Sequence, residues 1–191
     1  MSSVTLTNTV LPRSTALTKA LLITGGALFL ALLAQVAIPV PGSPVPVTGQ
    51  TLGVLLLATA YGANMGLATF ALYLLAGFAG APVFAGHGYG IERLDGPTGG
   101  YLAGMFIASW VLGALAGRKW DQKLFSAFTT MLIGDVIIFG FGLLWLQHFT
   151  GKDWAWTINA GLTPFIVGEL LKIAIAGTSL PALWKVVGRS N

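Results

Sequence analysis

Pro164-Phe-Ile-Val-Gly-Glu169-Leu-Leu-Lys172 places a carboxylate and an ammonium three residues apart inside an apolar run that continues to about Val187. Residues three apart share one face of a helix. At about 1.5 Å of rise per residue they sit about 8 and 12 Å along that helix from Pro164. A charge at such depth in a bilayer costs at least about 2.5 kcal/mol, so it is expected to face a partner or a cavity. The segment therefore reads as a membrane span with a polar working face, and the fold class as all-α and integral to the membrane.

Composition agrees. Of 191 residues, 55% are hydrophobic and 26 are glycine, but only 8% are charged. Soluble domains carry about 25% charged residues, so a soluble particle of 19.9 kDa built from this chain could not cover its surface. An ordinary soluble enzyme and a disordered chain are excluded. With no cysteine, so are a disulfide scaffold and a thiolate metal site. One membrane domain over residues 1–191 is expected.

Working back from the last span, six apolar stretches are found: Ala16–Val36, Thr48–Ala60, Ala63–Gly80, Gly99–Ala116, Ser126–Phe149 and Pro164–Val187. The second and third are short and part only at Tyr61-Gly62-Ala63-Asn64, which fits one bent span or a tight helical hairpin. Charge decides between them. With Arg13 and Lys19 cytoplasmic, six spans put Arg118, Lys119, Lys123, Lys185 and Arg189 on the same side and leave Arg93 and Lys152 outside. Five spans would reverse the Arg118–Lys123 cluster. The expected architecture is a six-transmembrane-helix bundle with both termini cytoplasmic and residues 1–15 forming a short tail. The same dispersal of basic residues argues against nucleic acid despite a net charge of +4.

Proline is expected only at element edges, as in Thr163-Pro164, because a missing N–H is costly in lipid. Four prolines crowd into Pro39-Val-Pro-Gly-Ser-Pro-Val-Pro46 on the outer side. This uncharged loop is either a stiff connector or a lid. Small residues line one face of the first span (Ala20, Thr24, Ala27, Ala31, Ala34) and recur at Gly100, Gly104 and Ala108. They suit either packing within the bundle or docking of a partner membrane subunit.

Asp135, Glu169 and Lys172 are the ionisable residues deep in apparent spans. Three readings are open: an ion pair pinning two helices, a proton or ion relay through Asp135 and Glu169, or a recognition site. A carboxylate accepts hydrogen bonds and an ammonium donates them, so the pair suits an amide or a urea. The outer segment from Ala81 to Gly100 is glycine-rich, and Gly86 within it permits close backbone approach to a ligand. Arg93 could meet a ligand carboxylate or pair with Glu92 or Asp95. Gln50 and Tyr101 open the second and fourth spans near the outer face, as ligand contacts, caps or interfacial anchors. Trp154 and Trp156 read as interface aromatics. No nucleotide-binding loop is present, and neither a metal site nor a catalytic constellation can be assembled, so neither a cofactor nor an enzymatic activity is expected.

The run Pro39-Val-Pro-Gly-Ser-Pro-Val-Pro-Val-Thr48 with Gln50-Thr-Leu-Gly-Val-Leu resembles the BioY family. So do Gly80-Ala-Pro-Val-Phe-Ala, Gly96-Pro-Thr-Gly-Gly-Tyr-Leu and Pro164-Phe-Ile-Val-Gly-Glu-Leu-Leu-Lys172, in that order. The resemblance implies the S-component fold of energy-coupling factor (ECF) transporters in a prokaryotic cell membrane. It implies capture of biotin from outside, and coupling to a transmembrane T component and ATPase subunits. It places the family's binding acid and lysine on Glu169 and Lys172, with lysine donating to the urea carbonyl and the acid accepting from urea N–H. Glutamate stands where aspartate is commoner, Asp135 where relatives more often carry a neutral or histidine side chain, and Arg93 where the loop is often apolar. The competing functions are a proton-coupled secondary transporter and an S component for another small vitamin.

Overall fold

Helix starts follow local chemistry. The computed structural model describes residues 5–189, so residues 1–4 of the expected tail and the side chain of Arg189 lie outside the described residues. Thr5 opens a short helix, α1 (Leu6–Val10), by accepting from the Asn8 N–H. Thr15 does the same for Thr18 at the start of α2 (Ala16–Gln35). Both are N-caps that satisfy an otherwise orphaned donor. Thr5 is buried and Thr7 donates from Oγ1 to the Ala60 carbonyl at 2.9 Å. Residues 5–10 are thus packed on the bundle, not a free tail.

After α2 the chain turns through two paired strand fragments, β1 (Ala37–Ile38) and β2 (Val47–Thr48), with the proline loop between them. The Gly49 N–H reaches both the Leu33 and Val36 carbonyls at 3.1 Å and ties this hairpin to the end of α2. Helix α3 (Gln50–Tyr61) has 12 residues, about 18 Å, too short for a hydrocarbon layer of about 30 Å. It turns at Gly62, whose φ of +82° favours glycine, into α4 (Ala63–Phe78). A Cβ on Gly66 would lie 2.9 Å from the Ala58 Cα, so the two helices touch as an antiparallel hairpin and not as one bent span.

Helices α5 (Gly99–Ala116) and α6 (Leu124–Thr150) make the most extensive helix pair. Gly100 and Gly104 of α5 sit against Phe141, Trp145 and the Ile138 backbone of α6. In lipid such close approach stands in for the missing hydrophobic drive between helices. The small face of α5 is therefore internal packing. On α2 the stripe divides: Ala27 and Ala34 are buried, Ala20 and Thr24 exposed.

A short helix follows, α7 (Trp154–Gly161), capped by Asp153 Oδ1 accepting from the Trp156 N–H at 2.7 Å. A single 3-10 turn over Thr163–Phe165 leads into α8 (Ile166–Arg189). Helices α2 to α6 and α8 match the six expected apolar stretches within a few residues, and α2, α5, α6 and the α7–α8 segment are long and apolar enough to cross a membrane, whereas α3 and α4 are shorter. Pro181 corrects one expectation, since it lies inside α8 and not at an edge. Proline is tolerated within a membrane helix where packed neighbours surround the freed carbonyl, and Leu180 and Pro181 are both buried.

Two anchors hold the end of the bundle that carries Lys19 and Arg118. Gly113 of α5 packs on the α3–α4 turn, where an added Cβ would collide with Gly62 and Ala63 backbone. Asp121, fully buried in the α5–α6 connection, accepts from Trp184 Nε1 of α8 at 2.6 Å. Burial raises the Asp121 carboxyl above its ordinary range, against the opposing Trp184 bond. A carboxyl raised in the folded state contributes stability that is full below its unfolded pKa and lost as pH rises through the folded one.

Gly113→Ala should lower stability by about 1–3 kcal/mol through overpacking, whereas Gly25→Ala, with nothing within 4 Å, should be neutral or stabilising by up to about 1 kcal/mol. Thermal unfolding in detergent compares them directly. In the same assay, Asp121→Asn should reduce the loss of stability between acidic and neutral pH. An unchanged pH slope would remove Asp121 as its source.

Candidate functional site

Opposite those anchors, the N-terminal ends of α3, α5 and α8 converge on a cavity of about 550 Å³. Its floor is polar. Glu169, in the first turn of α8, and Thr51, in the first turn of α3, are both buried and both line it. Lys172 lies one helical turn beyond Glu169. Its Nζ donates to the Thr48 carbonyl at 2.6 Å, Thr51 Oγ1 at 2.8 Å and Glu169 Oε1 at 2.7 Å. An ammonium has three protons, and three acceptors surround this one. The Thr51 hydroxyl in turn donates to Glu169 Oε1 at 3.1 Å. Glu169 Oε2 is buried and has no hydrogen-bond partner among the described residues. The network therefore holds one carboxylate oxygen and leaves the other unpaired among the described residues.

The geometry divides the expected site residues. Glu169, Gln50, Tyr101 and Arg93 line the cavity; Lys172, Gly86 and Asp135 do not. Lys172 positions Glu169 from behind, with its side chain only 13% exposed. Gly86 has φ +64° and shapes the loop that carries Ala85, His87 and Gly88 to the rim. Asp135 is buried on α6 with Oδ1 lacking a partner among the described residues. The Tyr101 hydroxyl is committed to the Gly161 carbonyl at 2.7 Å, so its ring serves the site as a wall. Phe139 meets that ring edge-on and Phe165 lies stacked against it.

Gln50 begins a relay in which its Nε2 donates to the Tyr73 hydroxyl at 2.7 Å and Tyr73 donates to the Val83 carbonyl at 3.2 Å. Thr48 Oγ1 donates to Gln50 Oε1 at 3.1 Å and so fixes the amide with its NH₂ toward Tyr73. The proline loop contributes Pro44, Val45 and Pro46 to the wall. Arg93 and Glu92 stand exposed at the mouth, with the Arg93 guanidinium laid on Gly88.

Sequence reasoning missed Thr51, Phe84 and Gln35. Phe84 turns inward against Gly77, where a Cβ would strike its ring, and contacts Tyr73 edge-on. Gln35, at the end of α2, donates from Nε2 to the Val83 and Phe84 carbonyls and accepts from the His87 N–H. It pins the glycine-rich loop to α2. Thr51 had a weak signal, since it is a polar residue one helical step after Gln50 in an apolar run. Phe84 lay within the segment Gly80-Ala-Pro-Val-Phe-Ala, but nothing local marked its inward turn; Gln35 had no signal, because its loop partners Val83, Phe84 and His87 lie about fifty residues away.

A family model described as the BioY family matches residues 5–189. The chain belongs to the BioY family. Biotin transporter BioY2 of Lactococcus lactis subsp. cremoris is 39% identical over 173 residues, covering 89% of this chain and 92% of that protein. Biotin transporter BioY of Thermotoga maritima is 36% identical over 139 residues, covering 73% and 80%. A crystal structure of the S-component for biotin from an ECF-type ABC transporter superposes with a TM-score of 0.81 at 21% identity, covering 90% of this chain and 95% of that one. That likeness bears on the fold, which is the S-component bundle. This BioY chain is a multi-pass membrane protein.

The clamp has a consequence for stability. Lys172→Met would leave Glu169 as a buried charge without its partner, which costs about 3–5 kcal/mol. Adding Glu169→Gln to that variant should restore part of the loss. Unfolding of both variants in detergent checks this; a double variant as unstable as Lys172→Met would mean the pair is not coupled.

Proposed function

We propose that this BioY chain is the S component that captures biotin at the outer face of a prokaryotic cell membrane for an ECF-type transporter. One observation carries the reading of the site: a buried carboxylate, Glu169, clamped through Oε1, lines a largely apolar cavity whose mouth holds the exposed Arg93. Biotin has the matching chemistry. Its ureido N–H groups donate to Glu169 Oε2, its sulfur-containing ring and aliphatic chain lie against Tyr101, Phe139 and Phe165, and its carboxylate points outward to Arg93. A cavity of this size lies within the range of about 300–1,000 Å³ usual for small-molecule sites.

The ureido carbonyl needs a donor. Lys172 is the donor implied by resemblance, but its three protons already have acceptors. Gln50 lines the cavity and uses Nε2 toward Tyr73, so the other amide hydrogen serves the carbonyl. In a dry pocket an analogue without the urea would leave Glu169 and Gln50 unpaired, which makes recognition selective. The proline loop and the Gln35-pinned loop close over the ligand.

The chain has no nucleotide-binding motif, so energy is supplied by partners: a transmembrane T component and ATPase subunits. With both termini cytoplasmic, the basic end of the bundle faces inward.

Titration calorimetry on the detergent-purified protein tests the site. Glu169→Gln should weaken biotin binding by about 10- to 100-fold, the value of a hydrogen bond to a charged group. Arg93→Ala should weaken binding of biotin while leaving biotin amide, which has no carboxylate, unchanged. Full biotin affinity in Glu169→Gln would overturn the pocket assignment.

A further inference from the structure

A second cleft, about 490 Å³, lies at the other end of the bundle. Its walls come from α1 through Asn8, from α2 through Lys19, from the α3–α4 turn through Tyr61 to Met65, and from the end of α5 and the turn after it through Gly113 to Arg118. Lys19 and Arg118 are exposed, and neither side chain has a hydrogen-bond or ion-pair partner among the described residues. Among the described residues no carboxylate lines the cleft. Two cations from separate segments thus line one cleft.

The remaining groups fit an oxyanion. Helix α4 starts at Gly62 with no side-chain cap, so its first-turn N–H groups, including those of Asn64 and Met65, lack helical partners. They add partial positive charge and hydrogen-bond donors. The packing of Gly113 on this turn fixes the α5 end beside it. The tetrahedral oxygens of a phosphate suit a fork from arginine, an ammonium and backbone donors together.

Place selects the source of that phosphate. The cleft opens at the membrane end where Arg13, Lys19, Arg118, Lys119, Lys123 and Lys185 gather, the level of phospholipid headgroups. Basic pockets between membrane helices at this level bind anionic headgroups. We propose that this cleft binds the phosphate of an anionic phospholipid, gripped by Lys19, Arg118 and the start of α4.

The test is thermal unfolding of the purified full chain in detergent with added dioctanoyl phosphatidylglycerol, dioctanoyl phosphatidylcholine or inorganic phosphate. At about 100 times its Kd, phosphatidylglycerol should raise the midpoint by about 5–10 °C, with little effect from the other two. Lys19→Ala with Arg118→Ala should abolish the shift. Lys123→Ala with Lys185→Ala, which removes the same charge elsewhere, should keep it. Asn64→Glu supplies a variant that folds, because an acid in the first turn of a helix is favourable, yet it places a carboxylate in the cleft and should also abolish the shift. An equal shift with phosphatidylcholine, an equal shift with inorganic phosphate, or a shift retained in the cleft variants would each overturn the proposal.

Discussion

One ammonium and its three acceptors organise the outer half of this molecule. Lys172 on α8 holds the Thr48 carbonyl of the proline hairpin, the Thr51 hydroxyl of α3 and one oxygen of Glu169. A buried charge this well satisfied is tolerable in low dielectric, and removing any acceptor would leave the others strained. The consequence for recognition is geometric. Because Oε1 receives both Lys172 and Thr51, the carboxylate of Glu169 is held in one orientation beside the cavity it lines. A preorganised acceptor spends nothing on reorganisation when a ligand's N–H groups arrive.

Everything above that floor is held by similar long-range polar ties in an apolar bundle. Gln35 fastens the glycine-rich loop, Gln50 and Tyr73 tie the start of α3 to Val83, and Tyr101 reaches the end of α7. Between helices, glycines at 66, 100, 104 and 113 bring backbones into contact. Lipid supplies no hydrophobic force to press helices together, so close packing and internal hydrogen bonds carry the association. The short α3 follows from the same scheme: its upper end stops at Gln50 within the bundle, and the extended hairpin continues the wall.

The helices were legible because hydropathy and charge asymmetry are local or additive signals. Ala16, Ala63 and Gly99 are helix starts readable in the sequence, and the α3–α4 hairpin followed from counting basic residues on each side. The buried pair at Glu169 and Lys172 was legible as three-residue spacing within an apolar run. Its division of labour was not, since the other two acceptors of Lys172 are 121 and 124 residues away. Tyr101 illustrates the same limit: its position near the outer face was readable, but its hydroxyl belongs to Gly161, 60 residues on. Pro181 and the helices α1 and α7 escaped because each is stabilised by packing against segments distant in sequence or by a single cap.

The central claim is that an oriented, acceptor-only carboxylate oxygen reads N–H groups at the cavity floor. Its most direct test is calorimetric comparison of biotin with biotin methylated on a ureido nitrogen, using the purified wild-type protein. The methyl group removes a donor and adds bulk where Glu169 Oε2 stands, while ring, chain and carboxylate are retained. Saturable binding of biotin with loss of the methylated analogue is the expected result. Equal affinity for the two would contradict it and place the ureido group elsewhere.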